Sequence, residues 1–229
     1  MRPCGDPENL GFVLPKILDL PADAISDTQR ADWKRLLSEL PPIPAGKTDD
    51  GRTYLRPARE YSRCANSENP ELYAVFPYRR YGLGKPELEV GRLTFERRRI
   101  KRTGGWTQDP IQAAYLGLTD VARAYTQTNF STWHGGSRFP AFWGPNFDWI
   151  PDQDHGSVAL IALQTMLLQS EDRRILLLPA WPKNWSVDFK LHAPLQTTVE
   201  GSYEDGKLTR LVVTPASRTE DVVRPAWLR

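Results

Sequence analysis

The segments Ser157-Val-Ala-Leu-Ile-Ala-Leu-Gln-Thr-Met-Leu-Leu-Gln-Ser170 and Ile175-Leu-Leu-Leu178 mark a change of pattern that decides the fold. The first segment places apolar residues on nearly every side of a helix, which is typical of a helix buried on most sides. The second is a short, continuous apolar run, which is typical of a buried strand. The sequence therefore predicts a mainly α-helical chain that continues into a C-terminal β-rich region.

Segments downstream of residue 178 alternate apolar and polar residues with a period of two, as half-buried strands do. They span residues 187–191, 197–203 and 208–214. The Asp205-Gly206 pair between the last two segments is a strong signal for a tight hairpin, because both residue types tolerate a positive φ. Together these strands predict a small antiparallel sheet. A further short strand is predicted at residues 53–55.

Upstream of residue 170, apolar residues recur mainly at helical spacing. The predicted helices span residues 10–18, 33–40, 71–81, 87–101 and 109–128. Pro15 lies inside the first stretch and predicts that this helix is kinked or starts late, and Pro77 is predicted to interrupt the third. Asp27 or Thr28 is the predicted N-cap of the second helix, and Asp109 is the predicted N-cap of the last.

Composition and charge exclude several classes of protein. The chain has 229 residues, of which 40% are apolar and 25% are charged, as in an ordinary folded domain. No segment approaches the roughly 18 to 20 apolar residues that a membrane span needs, so no membrane-spanning helix is predicted. The 30 basic residues nearly match the 28 acidic ones, which leaves no net field to attract a nucleic acid.

One basic run stands out against this balance. It comprises Arg92, Arg97, Arg98, Arg99, Lys101 and Arg102. Glutamates are interleaved with it and no nucleic-acid motif accompanies it, so a solvated helix face is favoured over a phosphate or nucleic-acid site. The 3 histidines are scattered and the 2 cysteines lack metal-site spacing, so neither a metal nor a cofactor is predicted.

The strongest candidate for a binding site is the segment Trp143-Gly-Pro-Asn-Phe-Asp-Trp-Ile-Pro-Asp-Gln-Asp-His-Gly156, which mixes aromatic rings and carboxylates. This combination suits a polyol, because rings contact the C–H faces of a sugar while polar groups orient its hydroxyls. Asp154 comes just before the buried helix, whose dipole favours an ionised carboxylate there. A base that stays charged at neutral pH is therefore one interpretation of Asp154.

Two other interpretations of this segment are open. In the first, Asp154 only caps the helix and the aromatic residues belong to an ordinary core. In the second, Asp148, Asp152 and Asp154 form a calcium loop, although the glycine and glutamate positions of an EF-hand are absent.

The second candidate carboxylate is Glu60, on a proline-flanked loop predicted over residues 41–70. Insertion of this side chain into a pocket would raise its pKa by burial and let it act as a general acid. Arg56, Arg59 and Arg63 lie close in the sequence, so a surface ion pair is the alternative interpretation.

Residues 154–170, together with Ile175-Leu-Leu-Leu-Pro-Ala-Trp-Pro-Lys-Asn-Trp185, resemble glycoside hydrolase family 95. In that family an aspartate leads into a helix that ends in Met-Leu-Leu-Gln-Ser, and a Leu-Leu-Pro-Ala-x-Pro-x-x-Trp segment follows. The spacing from the aspartate to the Gln-Ser pair matches here without a gap. Gly105-Trp-Thr107 is similar to the Gly-Trp-Ser sequence that opens a helix of the family's barrel. The resemblance implies an (α/α)6 barrel, of which this chain supplies about half.

The family consists of inverting α-L-fucosidases and α-L-galactosidases, so the resemblance implies hydrolysis of a glycosidic bond with inversion. Asp154 occupies the place of the carboxylate that activates water, and Glu60 lies where the general acid is expected. Inverting geometry would separate the two carboxyl groups by about 6.5 to 9.5 Å. The residues predicted to bind the sugar are Trp106, Trp143, Asn146, Phe147, Asp148, Trp149, Asp152 and His155.

The largest departure from the family's pattern is at the start, where the family's N-terminal β-sandwich, the first half of its barrel and an asparagine pair that helps position the water have no counterpart. Two further departures lie within the matched part. Residues 69–80 replace a loop that holds several histidines in the family, and His155-Gly-Ser157 follows Asp154 where the family has glycine and asparagine. Both departures leave the identity of the sugar open. The predicted domains are a partial barrel over residues 1–172 and a β-rich domain over residues 173–229.

Two functions of other kinds are alternatives. One is a non-catalytic remnant or a carbohydrate-binding protein, since half a barrel exposes apolar helix flanks through which the chain would self-associate. The other is an (α/α)6 phosphorylase or lyase, with Arg79 and Arg80 at a phosphate site in the phosphorylase. The first residues lack the apolar segment of a secretory signal, whereas the resemblance implies a longer parent enzyme that is extracellular or periplasmic.

Overall fold

The computed structural model describes residues 5–61, 67–136, 144–146 and 153–228. Contacts between Cα atoms divide the chain into two compact units, Met1–Ile100 and Lys101–Arg229. The described residues form helices and small sheets, which confirms the predicted combination of a helical fold with a β region. The barrel, and the domain boundary predicted at residue 172, stay predictions.

The described residues of the first unit form three α-helices, a two-stranded hairpin and a short 3-10 helix. They are α1 (Gly5–Leu18), α2 (Asp27–Glu39), β1 (Ala45–Lys47), β2 (Thr53–Leu55), a 3-10 helix (Pro70–Leu72) and α3 (Leu88–Arg97). The α-helix predicted over residues 71–81 is wrong, because the chain continues from the 3-10 helix in turns. Pro77 has no amide hydrogen with which to continue a helical ladder. The helix predicted over residues 87–101 is confirmed over the shorter span of α3.

The N-terminus of α2 is closed by a capping box. The amide of Gln29 donates to Ser26 Oγ at 3.2 Å, and the amide of Ser26 donates to Gln29 Oε1 at 2.9 Å. The predicted cap at Asp27 or Thr28 is therefore wrong, and the cap lies one residue earlier than Asp27. The glutamine three residues after the serine is the signal that identifies it.

A single arginine joins α2 to the end of α1. Arg30 donates to the backbone oxygen of Leu18 at 2.5 Å and to that of Leu20 at 3.2 Å. These bonds satisfy carbonyls that the end of a helix leaves without an intrahelical donor. Pro15 lies inside α1, which begins at Gly5, so the predicted late start of this helix is wrong and the predicted kink stays a prediction.

The β1–β2 hairpin is attached to α3 through one buried hydroxyl. Thr94 Oγ1 accepts a hydrogen bond from the amide of Leu55 at 2.8 Å and donates to the oxygen of Val90 at 2.7 Å. Asn69 makes a similar link at the end of this unit, since its side chain bonds both the amide and the oxygen of Ile100. The predicted strand at 53–55 is confirmed, and β1 is its antiparallel partner.

In the second unit, the part of the chain that the structure describes forms three α-helices followed by six strands. They are α4 (Asp109–Tyr115), α5 (Thr119–Ser131), α6 (Gln153–Leu167), β3 (Leu168–Glu171), β4 (Arg174–Leu177), β5 (Val187–Ala193), β6 (Thr197–Glu204), β7 (Lys207–Thr214) and β8 (Val222–Val223). Short 3-10 helices at Ala216–Asp221 and Ala226–Leu228 flank β8. Within the described residues, no helix is long and apolar enough to cross a membrane.

The single helix predicted over residues 109–128 is two helices, because a Schellman motif ends α4. Gly117 has a φ of +69°. Its amide donates to Ala114 O at 3.1 Å, and the amide of Leu118 donates to Ala113 O at 2.9 Å. Glycine is favoured here because it adopts the left-handed conformation without a steric cost. The predicted cap is also wrong, since Gln108 precedes the first helical residue and Asp109 is inside α4.

The helix α6 packs against both α4 and α5 and leads directly into a small sheet. The helix predicted over residues 157–170 is confirmed in position, but its last residues form β3. The strand order of this sheet is β3–β4–β8, with β4 and β8 parallel. The buried run predicted at residues 175–178 lies mainly in β4, and Ile175 and Leu177 are fully buried.

The predicted antiparallel sheet is confirmed as β5–β6–β7. Val199 of β6 and Val213 of β7 pack with Ile175 of β4 in one hydrophobic cluster, which joins the two sheets of this unit. Asp205 and Gly206 form the predicted two-residue turn and have φ values of +46° and +81°. Positive φ at both central positions is what the type I′ hairpin turn requires.

Candidate functional site

Asp154 lies in the first turn of α6 with its carboxylate open to solvent. The side chain is 56% exposed, and Oδ1 lies 3.9 Å from Nε2 of His155, which is buried. The partial positive charge of a helix N-terminus favours the ionised form of a carboxylate at this position. This arrangement combines a reachable acidic group with an enclosed imidazole beside it.

The interior face of α6 fixes where Asp154 is placed. Val158, Ala159 and Ala162 are buried along it, and Met166 accepts a hydrogen bond from Thr126 of α5 at its sulfur, at 3.6 Å. Just beyond the helix, Gln169 Nε2 donates to Ala114 O of α4 at 2.9 Å. A closely packed helix presents a side chain more exactly than a loop does, which suits a catalytic group.

Trp106 and Asn146, both predicted to bind sugar, belong to two short segments that the structure brings together. Asn146 Nδ2 donates to the oxygen of Thr103, three residues before Trp106. The backbones meet where Gly104 passes Gly144, and a Cβ atom on Gly104 would lie 2.6 Å from Cδ of Pro145. The half-buried Trp106 ring and the Asn146 amide therefore lie on connected segments of the second unit.

Sequence reasoning missed Asn129, which supports these two segments. It is buried in the last turns of α5, and Thr103 Oγ1 donates to its Oδ1 at 2.9 Å. The same side-chain oxygen would lie 2.9 Å from a Cβ atom on Gly144. The sequence does contain a signal for Asn129. Ala122, Thr126 and Asn129 recur at helical spacing and share the buried face of α5, so a polar residue lies in the core.

Five of the residues predicted to bind sugar lie outside the described residues. They are Trp143, Phe147, Asp148, Trp149 and Asp152. The calcium-loop alternative depends on two of these aspartates, so it stays a prediction as well. No group of three or more histidine, cysteine, aspartate or glutamate side chains positioned to hold a metal occurs in the parts of the chain that the structure describes.

Glu60 lies at the surface of the first unit, on the loop after β2. Its side chain is exposed, so the expected burial in a pocket is not observed. Arg59 and Tyr61 on either side of it are exposed as well, whereas Ala58 is buried and Pro57 is half-buried. The role of Glu60 as a general acid stays a prediction.

A cavity of about 160 Å³ lies close to this loop in the first unit. The side chains in its wall that carry chemistry are Tyr54, Tyr61, Glu68, Glu71, Arg97 and Arg99. Glu60 is not among the lining residues, although Pro57 and Tyr61 on either side of it are. The sequence alone assigned Arg97 and Arg99 to a solvated helix face and gave no role to the two glutamates.

The arginines of the phosphorylase alternative lie elsewhere in the first unit. Arg80 packs against α1, where its Nη1 would lie 2.8 Å from a Cβ atom on Gly11. Arg79 has a φ of +50° and also interacts with other residues. Neither arginine lines the cavity.

No family model matches the sequence, and no curated protein matches it. The resemblance to glycoside hydrolase family 95 therefore stays a prediction based on the residues quoted above.

Proposed function

We propose that this chain takes part in the hydrolysis of a glycosidic bond with inversion, and that Asp154 is its general base. The observation that supports the proposal is the solvent-open carboxylate of Asp154 in the first turn of α6, beside buried His155. A general base must be ionised before reaction and must reach the water whose proton it takes. An exposed carboxylate at a helix N-terminus meets both requirements.

His155 has a positioning role in this proposal. Because its ring is buried, it serves the reaction through Asp154 and not by touching the sugar. Its Nε2 lies 3.9 Å from Oδ1 of that carboxylate, so a small movement brings the two within hydrogen-bond distance. Such a bond would orient the carboxylate, which stays open to solvent because the Asp154 side chain is 56% exposed.

Glu60 is proposed as the general acid, on the basis of the family resemblance and its place on the proline-flanked loop. In an inverting reaction the acid gives a proton to the glycosidic oxygen while the base removes one from water. The exposed position of Glu60 supports access to a substrate. The two carboxylates therefore have separate tasks, and kinetics can distinguish these tasks.

The test for the base is Asp154→Asn in the full chain, assayed with aryl α-L-fucosides and α-L-galactosides. We expect a loss of about 10²- to 10⁴-fold in kcat, since a positioned base contributes roughly that much. Asp120→Asn is the matched control, because Asp120 is an exposed carboxylate in the first turn of α5. Equal activity of Asp154→Asn and the wild type would contradict the proposal, as would a wild type without hydrolysis.

The test for the acid compares Glu60→Gln on two substrates that differ in their leaving group. A glycosyl fluoride needs little protonation of the departing atom, whereas an alkyl glycoside depends on it. We expect Glu60→Gln to lose activity on the alkyl glycoside and to keep most of its activity on the fluoride, while Asp154→Asn loses both. NMR of the first-formed sugar would show inversion, and a retained anomer would refute the mechanism.

A further inference from the structure

Asn129, Thr103 and Asn146 form a chain of hydrogen bonds that leads outwards from the core of the second unit. Asn129 is 1% exposed, and its Oδ1 accepts a bond from Thr103 Oγ1 at 2.9 Å. The backbone oxygen of Thr103 in turn accepts a bond from Nδ2 of Asn146, which is half-buried. Thr103 therefore connects a buried amide to one that lies nearer the surface.

The bond to Thr103 fixes which way the carboxamide of Asn146 is turned. A backbone oxygen can only accept, so Nδ2 of Asn146 must face it and Oδ1 must point away. No residue in the described part of the chain donates to this Oδ1, and it is not one of the fully buried polar atoms there. It is therefore an acceptor that solvent, or an incoming hydroxyl, can reach.

The backbone on both sides of this bond leaves the carboxamide little freedom to move. Gly104 passes Gly144 so closely that a Cβ atom on Gly144 would lie 2.3 Å from Cα of Gly104. At the other end of the chain of bonds, Asn129 is held in the core by α5. Because such a support is ordered before a ligand arrives, less conformational entropy is lost on binding.

We propose that Asn146 Oδ1 accepts a hydrogen bond from a hydroxyl of the substrate sugar, and that Asn129 is a positioning residue that acts through Thr103. Asn129 itself is too enclosed to touch a sugar. Trp106 lies three residues after Thr103 and its ring is half-buried, so the two connected segments carry an aromatic ring as well as the acceptor. The inference rests on the proposed function, because it concerns how the same sugar is held, but it involves neither proton transfer.

The first test measures the affinity of the full chain for L-fucose and L-galactose by NMR titration. We expect Asn146→Ala to weaken binding of at least one of these sugars about three- to tenfold, the effect of losing one neutral hydrogen bond. Asn184→Ala is the matched control, because Asn184 is an exposed asparagine of the same unit. Equal affinities of Asn146→Ala and the wild type, or a wild type that binds neither sugar, would overturn the proposal.

The second test asks whether Thr103 acts through Asn146. Thr103→Val removes the hydroxyl but keeps the shape of the side chain, and it should weaken sugar binding about threefold or more, whereas Thr103→Ser should keep the wild-type affinity. Adding Thr103→Val to Asn146→Ala should cause no further loss, since both changes remove the same contact with the sugar. Additive losses are what a merely structural role would give, and they would refute the positioning role.

A buried threonine elsewhere in the second unit controls for the loss of a hydroxyl from the core. Thr126 donates to the sulfur of Met166 and has no bond to the Thr103 segment, so Thr126→Val should bind sugar as the wild type does. Asn129→Leu removes the Thr103 bond from its other end. It takes the place of Thr103→Val in the double-variant comparison if circular dichroism shows that Thr103→Val is not folded.

These outcomes are separable from the fate of the proposed hydrolysis. Asp154→Asn should lose hydrolysis but bind the sugar as the wild type does. If it keeps hydrolysis while the effects of Thr103→Val and Asn146→Ala are not additive, the proposed base fails and the positioning role stands. If it loses hydrolysis while those two effects add, the positioning role fails alone.

Discussion

The β5–β6–β7 sheet and the α1–α2 hairpin are stabilised by different forces. In the sheet, Val199 and Tyr203 of β6 are fully buried. In the hairpin, α2 has no buried residue, and the interactions that hold it are the capping box and the hydrogen bonds donated by Arg30. The sheet is therefore held by apolar burial, whereas polar bonds at the helix ends contribute a larger share to the hairpin.

This difference bears on the candidate site. Asp154 lies in the same unit as the sheet, on a helix whose interior face is packed, so its position is fixed by burial. Glu60 lies in the unit of the hairpin, on an exposed loop. We expect substitutions in the core of the second unit to lower the free energy of unfolding far more than substitutions at the ends of α2 do.

The largest expected effect is that of Ile175→Ala. Ile175 is fully buried at the centre of the cluster that joins the two sheets of the second unit. Its truncation should lower the free energy of unfolding by about 3 kcal/mol, through lost burial and the cavity left behind. Urea denaturation measures this. Leu195→Ala is the control, because the Leu195 side chain is 58% exposed and its truncation should barely change the free energy of unfolding. Equal losses of stability in the two variants would contradict the view that apolar burial holds the second unit.

An intermediate effect is expected from Ser26→Ala, which removes the cap of α2. The free energy of unfolding should fall by about 1 kcal/mol, as is typical when an N-cap serine is removed. Hydrogen exchange of the α2 amides reports it locally. Ser38→Ala is the matched control, because this serine lies in the last turn of the same helix and donates only to Arg35 O. Faster exchange in the control than in Ser26→Ala would show that the capping box is not what stabilises α2.

The smallest expected effect concerns Glu200, on the open face of the sheet. The bond from Lys190, and then that from Arg210, hold the pKa of this carboxyl below its usual value of 4.5. A lowered folded-state pKa adds stability above the unfolded-state pKa, and this stability is lost as the pH falls through the folded-state value. Glu200→Gln should therefore be less stable than the wild type at pH 7 and should approach it near pH 3.

Thermal unfolding at both pH values checks this prediction. The difference should also shrink in 1 M salt, since exposed ion pairs are screened. A difference that grows on acidification would contradict the assignment of the bonds from Lys190 and Arg210 as its cause.

The strands β2, β4, β5, β6 and β7 were predictable from the sequence, whereas β1, β3, β8 and several helix boundaries were not. Period-two alternation and the Asp205-Gly206 turn are local signals, and they gave β5, β6 and β7 correctly. The break at Gly117 was missed because Leu118 and Val121 continue the helical spacing across it. The helix over residues 71–81 was predicted with an interruption at Pro77, but only a 3-10 helix at Pro70–Leu72 forms, since Pro77 has no amide hydrogen for a helical ladder.

Some parts of the candidate site were likewise predictable from the sequence, and others were not. The position of Asp154 at the start of a buried helix follows from the apolar run after it, and the structure places it there. The cavity joins residues 54–61, 68–71 and 94–99, which are far apart in the sequence. No periodicity predicts that these segments come together, although Arg97 and Arg99 are exposed, as the interpretation of a solvated face requires. Asn129 was missed because its partner Thr103 is on another segment.

The close approach of Gly104 to Gly144 matters for anyone who wishes to redesign this protein. A methyl group on either residue would collide with the backbone of the other segment. The two segments therefore cannot be randomised one at a time, and a transplanted loop must keep both glycines. Gly51 and Gly206 have no atom near the corresponding position, so exposed turns are better entry points for inserted peptides or labels.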